Sequence, residues 1–359
     1  MRKKGTHLGT FSGLVATAAA ALAFASPAGA SASCDRVASP SGSDSAAGTV
    51  AAPFKTGEKL ASSLSPGQTG CFRAGTFSGS ISVRVPNVTL TSYPGERATL
   101  VGYFAVASQG SGDTVKDLNI DGRPAVATPQ ISADNVTFSG NDVTNHNTAI
   151  CFTVGGFGYR PRNTVIKNNN IHDCGRLPAQ NGDHGIYIDD ATGTIVRGNW
   201  IHNNADFGVH MYPNGDNSLV TGNIIDSNGE GVIFAGAGGQ TSDNNVVEHN
   251  IITNSQVRQN VESYWGSGPV GVGNVVTNNC IKGAADPYYA TQNGSGILSP
   301  RVGFTVRSNL IADPRYVNRA AGNYRLQPNS PCASILRKRT GKKKKRAKKT
   351  PSARAKARA

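Results

Sequence analysis

The sequence predicts an all-β fold, a parallel solenoid of about eight to ten three-strand coils. Three observations predict it. A unit recurs through the centre of the chain as "VTFSGNDV", "VIKNNNI", "IVRGNWI", "LVTGNII", "VVEHNII", "VVTNNCI" and "TVRSNLI". Its asparagines, Asn141, Asn169, Asn199, Asn223, Asn250, Asn279 and Asn309, are separated by 28, 30, 24, 27, 29 and 30 residues, an interval typical of solenoids. Within each unit the apolar residues form short β-branched runs broken by Gly, Asn and Asp, with none of the three-and-four spacing of a helix. Strands of this kind pair with their copies in the next coil, about 4.8 Å away. The stacked asparagines then bond to one another by their amides along the axis, and Asn tolerates the left-handed backbone of a tight corner. Their reading is structural.

The elements follow in chain order. Residues 1–32 begin with Met1-Arg2-Lys3-Lys4, continue into an alanine-rich apolar run and end at small-x-small sites, the pattern of a secretory signal peptide. The run is shorter than the roughly 20 residues that span a bilayer, so the mature protein is expected to be secreted or wall-associated. Residues 33–59 read as a Ser/Ala/Gly-rich leader, loose over 39–52, and an N-terminal cap; residues 60–336 are the solenoid. The six cysteines all follow the signal, where oxidation is allowed. Of fifteen pairings, sequence-order pairing of adjacent coils is expected, with Cys34–Cys71 and Cys280–Cys332 pinning the caps; a free pair of thiols is the alternative. Residues 337–359 form a tail expected to be disordered.

The tail also explains the charge. Of the net +14, thirteen Lys and Arg sit in the tail and three in the leader, which leaves −2 for the body. A specific nucleic-acid surface is therefore not expected. The tail's expected partners are anionic wall polymers, acidic polysaccharide or lipid head groups, and the body is expected to be monomeric.

Residues 63–83 ("SLSPGQTGCFRAGTFSGSISV"), residues 88–102 ("VTLTSYPGERATLVG") and residues 312–332 ("ADPRYVNRAAGNYRLQPNSPC") resemble the entry segment, first coil and closing segment of secreted right-handed parallel β-helix proteins of the pectin-lyase-like superfamily. The resemblance implies a right-handed, single-stranded β-helix whose strand PB1, with its neighbouring turns, forms a groove for extended polysaccharide. The "DPHE" motif of mannuronan epimerases is absent, so the resemblance carries a fold and a substrate class and not residue roles.

By register, the PB1 strands are "AICFTV" (149–154), "GIYID" (185–189), "GVHMY" (208–212), "GVIFA" (231–235) and "NVESY" (260–264). Alternation sends Ile186, Ile188, Val209, Met211, Val232 and Phe234 inward. Outward stand one column of Cys151, Tyr187, His210, Ile233 and Glu262 and another of Thr153, Asp189, Tyr212, Ala235 and Tyr264. Tyr187 should neighbour His210, and Asp189 should neighbour Tyr212. The turn from His172 to Gly185 takes 14 residues where the next coil takes seven. The surplus makes a loop that carries Arg176, Gln180, Asn181, Asp183 and His184 to the rim. His172 and His202 occupy equivalent positions and should stack close by.

Such a patch suits glycan chemistry: aromatic rings lie against sugar faces, charged groups recognise carboxylates, and a base must reach a ring proton. The candidate catalytic residues are Tyr187, Asp189, His210, Tyr212, Asp183 and His184. The candidate substrate-binding residues are Arg176, Tyr264, Glu262 and His202. His and Tyr together favour β-elimination or C5 epimerisation of a uronate, with Arg176 neutralising its carboxylate; hydrolysis would use Asp183 with Asp189 or Asp189 with Glu262. No metal site is assigned and no cofactor is required; were a cation bound, Ca2+ would come first. The alternative is a non-catalytic surface or wall solenoid that binds glycans.

Overall fold

The computed structural model describes residues 33–156, 158–285 and 294–336. Residues 1–32, expected as a signal peptide, and residues 337–359, expected as a disordered tail, lie outside the described residues. Short strands stack into three long sheets of eleven, nine and nine strands in which strands pair in parallel with their copies in the neighbouring coil, except for the antiparallel end strand Gln240–Thr241. The fold is the predicted right-handed parallel β-solenoid, with almost no helix. A typical coil runs from Val165–Lys167 through Asn170–His172 to His184–Thr192.

The expected inward residues are fully buried: Ile186, Ile188, Val209, Met211, Val232 and Phe234 are each 0% exposed. They join one continuous core from Ala38 to Phe304.

All seven repeat asparagines form one ladder. Each Nδ2 donates to the next Oδ1, from Asn141 to Asn169 (3.0 Å) through Asn199, Asn223, Asn250 and Asn279 to Asn309 (3.0 Å). The left-handed backbone, however, falls on the residue before each: Gly140, Asn168, Gly198, Gly222, His249, Asn278 and Ser308 all have φ between 54° and 67°. The ladder residues are therefore asparagines for their amides, which pair buried backbone and side-chain groups at once, and not for turn conformation.

The leader differs from expectation. Arg36–Ala38 already pairs with Thr69–Phe72 as the first strand of the eleven-stranded sheet. Residues 39–52, read as loose, are folded back by bonds such as Gly48 N to Ala52 O (2.9 Å). Asp44 accepts from Lys55 N and Thr56 N (2.9 Å each), which positions the capping helix Gly57–Ser62. Polar composition was a poor guide because the segment satisfies its own backbone in turns.

Sequence-order pairing of the cysteines holds: Cys34–Cys71, Cys151–Cys174 and Cys280–Cys332. The last ties down a closing segment that includes the hairpin of Tyr316–Asn318 with Asn323–Leu326. This segment covers the outward Trp200, Ile224 and Ile251, with Arg319 paired to Asp226 (2.6 Å) and the Tyr316 hydroxyl bonded to Thr253 (2.9 Å).

Candidate functional site

One sheet carries the candidate site through Phe152–Gly155, His184–Thr192, Phe207–Asp216, Glu230–Ala237 and Val261–Tyr264. Its ladder sets Tyr187 beside His210, His210 beside Ile233 and Ile233 beside Glu262, as alternation predicted, and Ala235 beside Tyr264. Two register expectations are corrected. Thr153, and not Cys151, neighbours Tyr187; Cys151 lies before its strand, held by Cys174. Asp189 does not pair with Tyr212, because the ladder jumps from Ile188–Met211 to Asp190–Asn214 and leaves Asp189 unpaired.

That irregularity gives Asp189 its role. The Asp189 carboxylate stands near the Tyr187 hydroxyl, and burial together with this negative neighbour pushes the phenol well above its usual range. Burial raises the Asp189 carboxyl as well. Its Oδ2 occupies the space that a Cβ on Gly156 would fill, and Gly156 has φ 81°, so only glycine fits there.

Around Tyr187 the rings gather closely. His184 lies 4.3 Å from Tyr187, 4.9 Å from His210 and 5.1 Å from Phe207. Tyr212 stacks on His210 at 5.3 Å and on Tyr187 at 6.4 Å. His184, expected on the rim loop, instead opens a strand and is buried, as is His210. Burial pushes the His184 ring down to about 3 and holds His210 well below its usual value, with His184 adding to the effect. Both are neutral imidazoles at physiological pH, and neither Nδ1 has a hydrogen-bond partner.

The charged residues are arranged differently from expectation. Arg176 forms a bidentate pair with Asp183 (2.8 Å and 2.8 Å), so Asp183 anchors the loop and Arg176 is spent on it. The next coil reinforces that anchor, since Asp206 accepts from Gly182 N and Asp183 N (2.8 and 2.9 Å). The cleft's cation is Arg258, overlooked in the sequence, which bonds Glu230 (2.6 Å), Glu262 (2.9 Å) and Asn181 (3.1 Å). His202 does stack on His172 (5.3 Å, 7°), but on the adjoining sheet, where its other face meets Tyr324 (4.8 Å). It is structural support for the closing segment.

The resulting cleft has a volume of about 420 Å³, floored by Phe207 and Ile233 under Tyr187, His210 and Tyr212 and bordered by Arg258, Glu262 and the exposed Tyr264. Its lining acid, Glu262, is already paired with the Arg258 guanidinium. Among the described residues no group of three or more His, Cys, Asp or Glu side chains converges as a metal site.

The sequence matches the family described as "Right handed beta helix region" over residues 130–311. No curated protein matches it significantly. Among solved structures, a pectate lyase superposes with TM-score 0.57 at 13% identity, covering 83% of this chain and 91% of its own. The A-module of an Azotobacter vinelandii mannuronan C-5 epimerase gives 0.38 at 16% identity, covering 68% and 86%. A Streptococcus pneumoniae surface adhesin gives 0.41 at 12%, covering 62% and 73%.

Proposed function

We propose, for a chain that belongs to the right-handed beta helix family, that the Tyr187–His210 cleft binds an acidic polysaccharide and removes a ring proton from a uronate, leading to β-elimination or C5 epimerisation. One observation carries this reading: two neutral imidazoles with unpartnered Nδ1 atoms lie against a tyrosine kept protonated beside Asp189, all in one cleft.

The chemistry follows from those states. A buried imidazole is a weak base when the cleft is empty, but a uronate carboxylate placed beside it favours the protonated ring and raises its basicity. His210 takes the C5 proton, with the His184 ring packed behind it. For elimination the electron pair forms the C4–C5 double bond, the C4–O bond breaks, and Tyr187 protonates the leaving oxygen. For epimerisation a proton returns to C5 from the opposite face. Tyr212 and Tyr264 supply ring faces for sugar residues, and Arg258 is the nearest cation to the developing enolate. The pairing of Cys151 with Cys174 and the other two disulfides fit an oxidising, extracellular setting.

The test is incubation of the full chain with pectate, alginate, chondroitin and hyaluronan, with and without calcium, while absorbance is recorded near 235 nm, where unsaturated uronates absorb. A rise with any polymer supports elimination; NMR of the product detects epimerisation. A second reading, glycan binding without turnover, draws on the double engagement of Arg258 by Glu230 and Glu262, which reduces the positive charge available to an enolate. Retention in affinity electrophoresis with no chemical change would select it.

A further inference from the structure

A second groove lies on the outer face of the eleven-stranded sheet, a different sheet from the one that carries the ring cluster. Its volume is about 580 Å³ and its lining is divided by chemistry. Lys167 and Arg197 stand directly opposite each other on adjacent strands and point outward. Like charges one coil apart, about 4.8 Å, repel and destabilise the pair. Among the described residues neither has an ion-pair partner. His249 stands beside them.

The other half of the groove is apolar. Ile195 and Leu219 are paired neighbours on the same outward face, both half-buried. Ile335 and Leu336, from the short helix Ala333–Leu336, close the far wall. A sheet face expected to be polar is thus apolar beside an unneutralised cation pair. From Leu336 the chain continues directly into residues 337–359, with their thirteen Lys and Arg. The groove's two cations and the Lys and Arg of residues 337–359 are complementary in charge to the same anionic surface.

We propose that this groove binds anionic lipid, with the phosphate held between Lys167 and Arg197 and the first part of an acyl chain laid along Ile195, Leu219 and Leu336, so that the β-helix docks sideways on an anionic bilayer with the tail as a second contact. Inorganic phosphate would use only the charged half, and a hydrophilic polyanion would leave the apolar half uncovered.

The experiment uses the mature chain and vesicles of phosphatidylcholine with one-fifth phosphatidylglycerol at about 0.1 M salt. Wild type should co-sediment. The double variant Lys167→Ser/Arg197→Ser should bind about 25-fold more weakly, at about fivefold per basic residue near the surface, and its thermal midpoint should not fall because a repulsive pair is removed. Leu219→Ser should weaken vesicle binding and leave retention by a soluble polyanion such as heparin unchanged. In a monomeric arm, dihexanoyl-phosphatidylglycerol below its micelle concentration should bind and inorganic phosphate should not. Unchanged vesicle binding by both variants would overturn the proposal. So would equal binding of inorganic phosphate, or heparin retention that falls in parallel for Leu219→Ser.

Discussion

Asn223→Ala removes one rung from the middle of the asparagine ladder. The side chain is fully buried and makes four bonds: Nδ2 donates to Val196 O and Asn250 Oδ1, and Oδ1 accepts from Asn199 N and Asn199 Nδ2, each at 2.9 Å. Alanine leaves the Asn199 backbone N–H without its acceptor in a site closed to solvent. An orphaned buried donor costs about 1–3 kcal/mol and each of the three further lost bonds about 1 kcal/mol, so the expected loss is roughly 4–6 kcal/mol. At about 2 °C per kcal/mol for a chain of this size, Tm should fall by about 8–12 °C. Circular dichroism melts of wild type and variant read this directly. A shift below about 2 °C would refute the reasoning, since it would mean that the ladder amides are satisfied by water or that the neighbouring coils close over the gap at no cost.

Three other outcomes follow from the cleft. His210→Ala should reduce product formation at least about 100-fold, as expected for a lost general base, and should also lower Tm, because the ring packs between Phe207 and Tyr212; full activity would remove His210 from the mechanism. Tyr264→Ala should leave Tm unchanged, because the ring is 64% exposed, and weaken glycan binding about two- to tenfold in affinity electrophoresis. Stability should fall as pH drops below about 6.5: an unfolded histidine binds a proton there, whereas burial keeps His184, His202 and His210 neutral in the fold, the first two down to about 3 and about 4. Each such ring contributes about 1.4 kcal/mol per pH unit while it stays neutral. A Tm equal at pH 7 and pH 5 would contradict their burial.

The residues legible in the sequence were those fixed by the coil repeat. The ladder, the inward residues Ile186 to Phe234 and the Tyr187–His210–Glu262 column follow from one interval and strand alternation, and the three disulfides from the adjacency of neighbouring coils. Errors arose where a coil departs from that repeat. Residues 149–154 lack the glycine that begins the next three candidate strands, so Cys151 was set two residues out of register and Thr153 stands in its place. The irregularity at Asp189 is invisible to alternation, which assumes one residue opposite one. Asp183 and Arg176 were read as cleft groups from their loop, but a carboxylate and a guanidinium seven residues apart satisfied each other first. Neither repeat nor alternation points to Arg258, since two of its partners, Glu230 and Asn181, lie 28 and 77 residues before it.

The central claim, abstraction of a uronate ring proton by the His184–His210 pair, is tested most directly by proton NMR of polyuronates incubated with the chain in D2O. Loss of the H5 signal is expected, with an olefinic H4 appearing if the bond is eliminated and deuterium entering C5 if the centre is inverted, and neither change is expected with His210→Ala. An H5 signal that persists at full intensity in pectate, alginate, chondroitin and hyaluronan, while the chain demonstrably binds one of them, would contradict it.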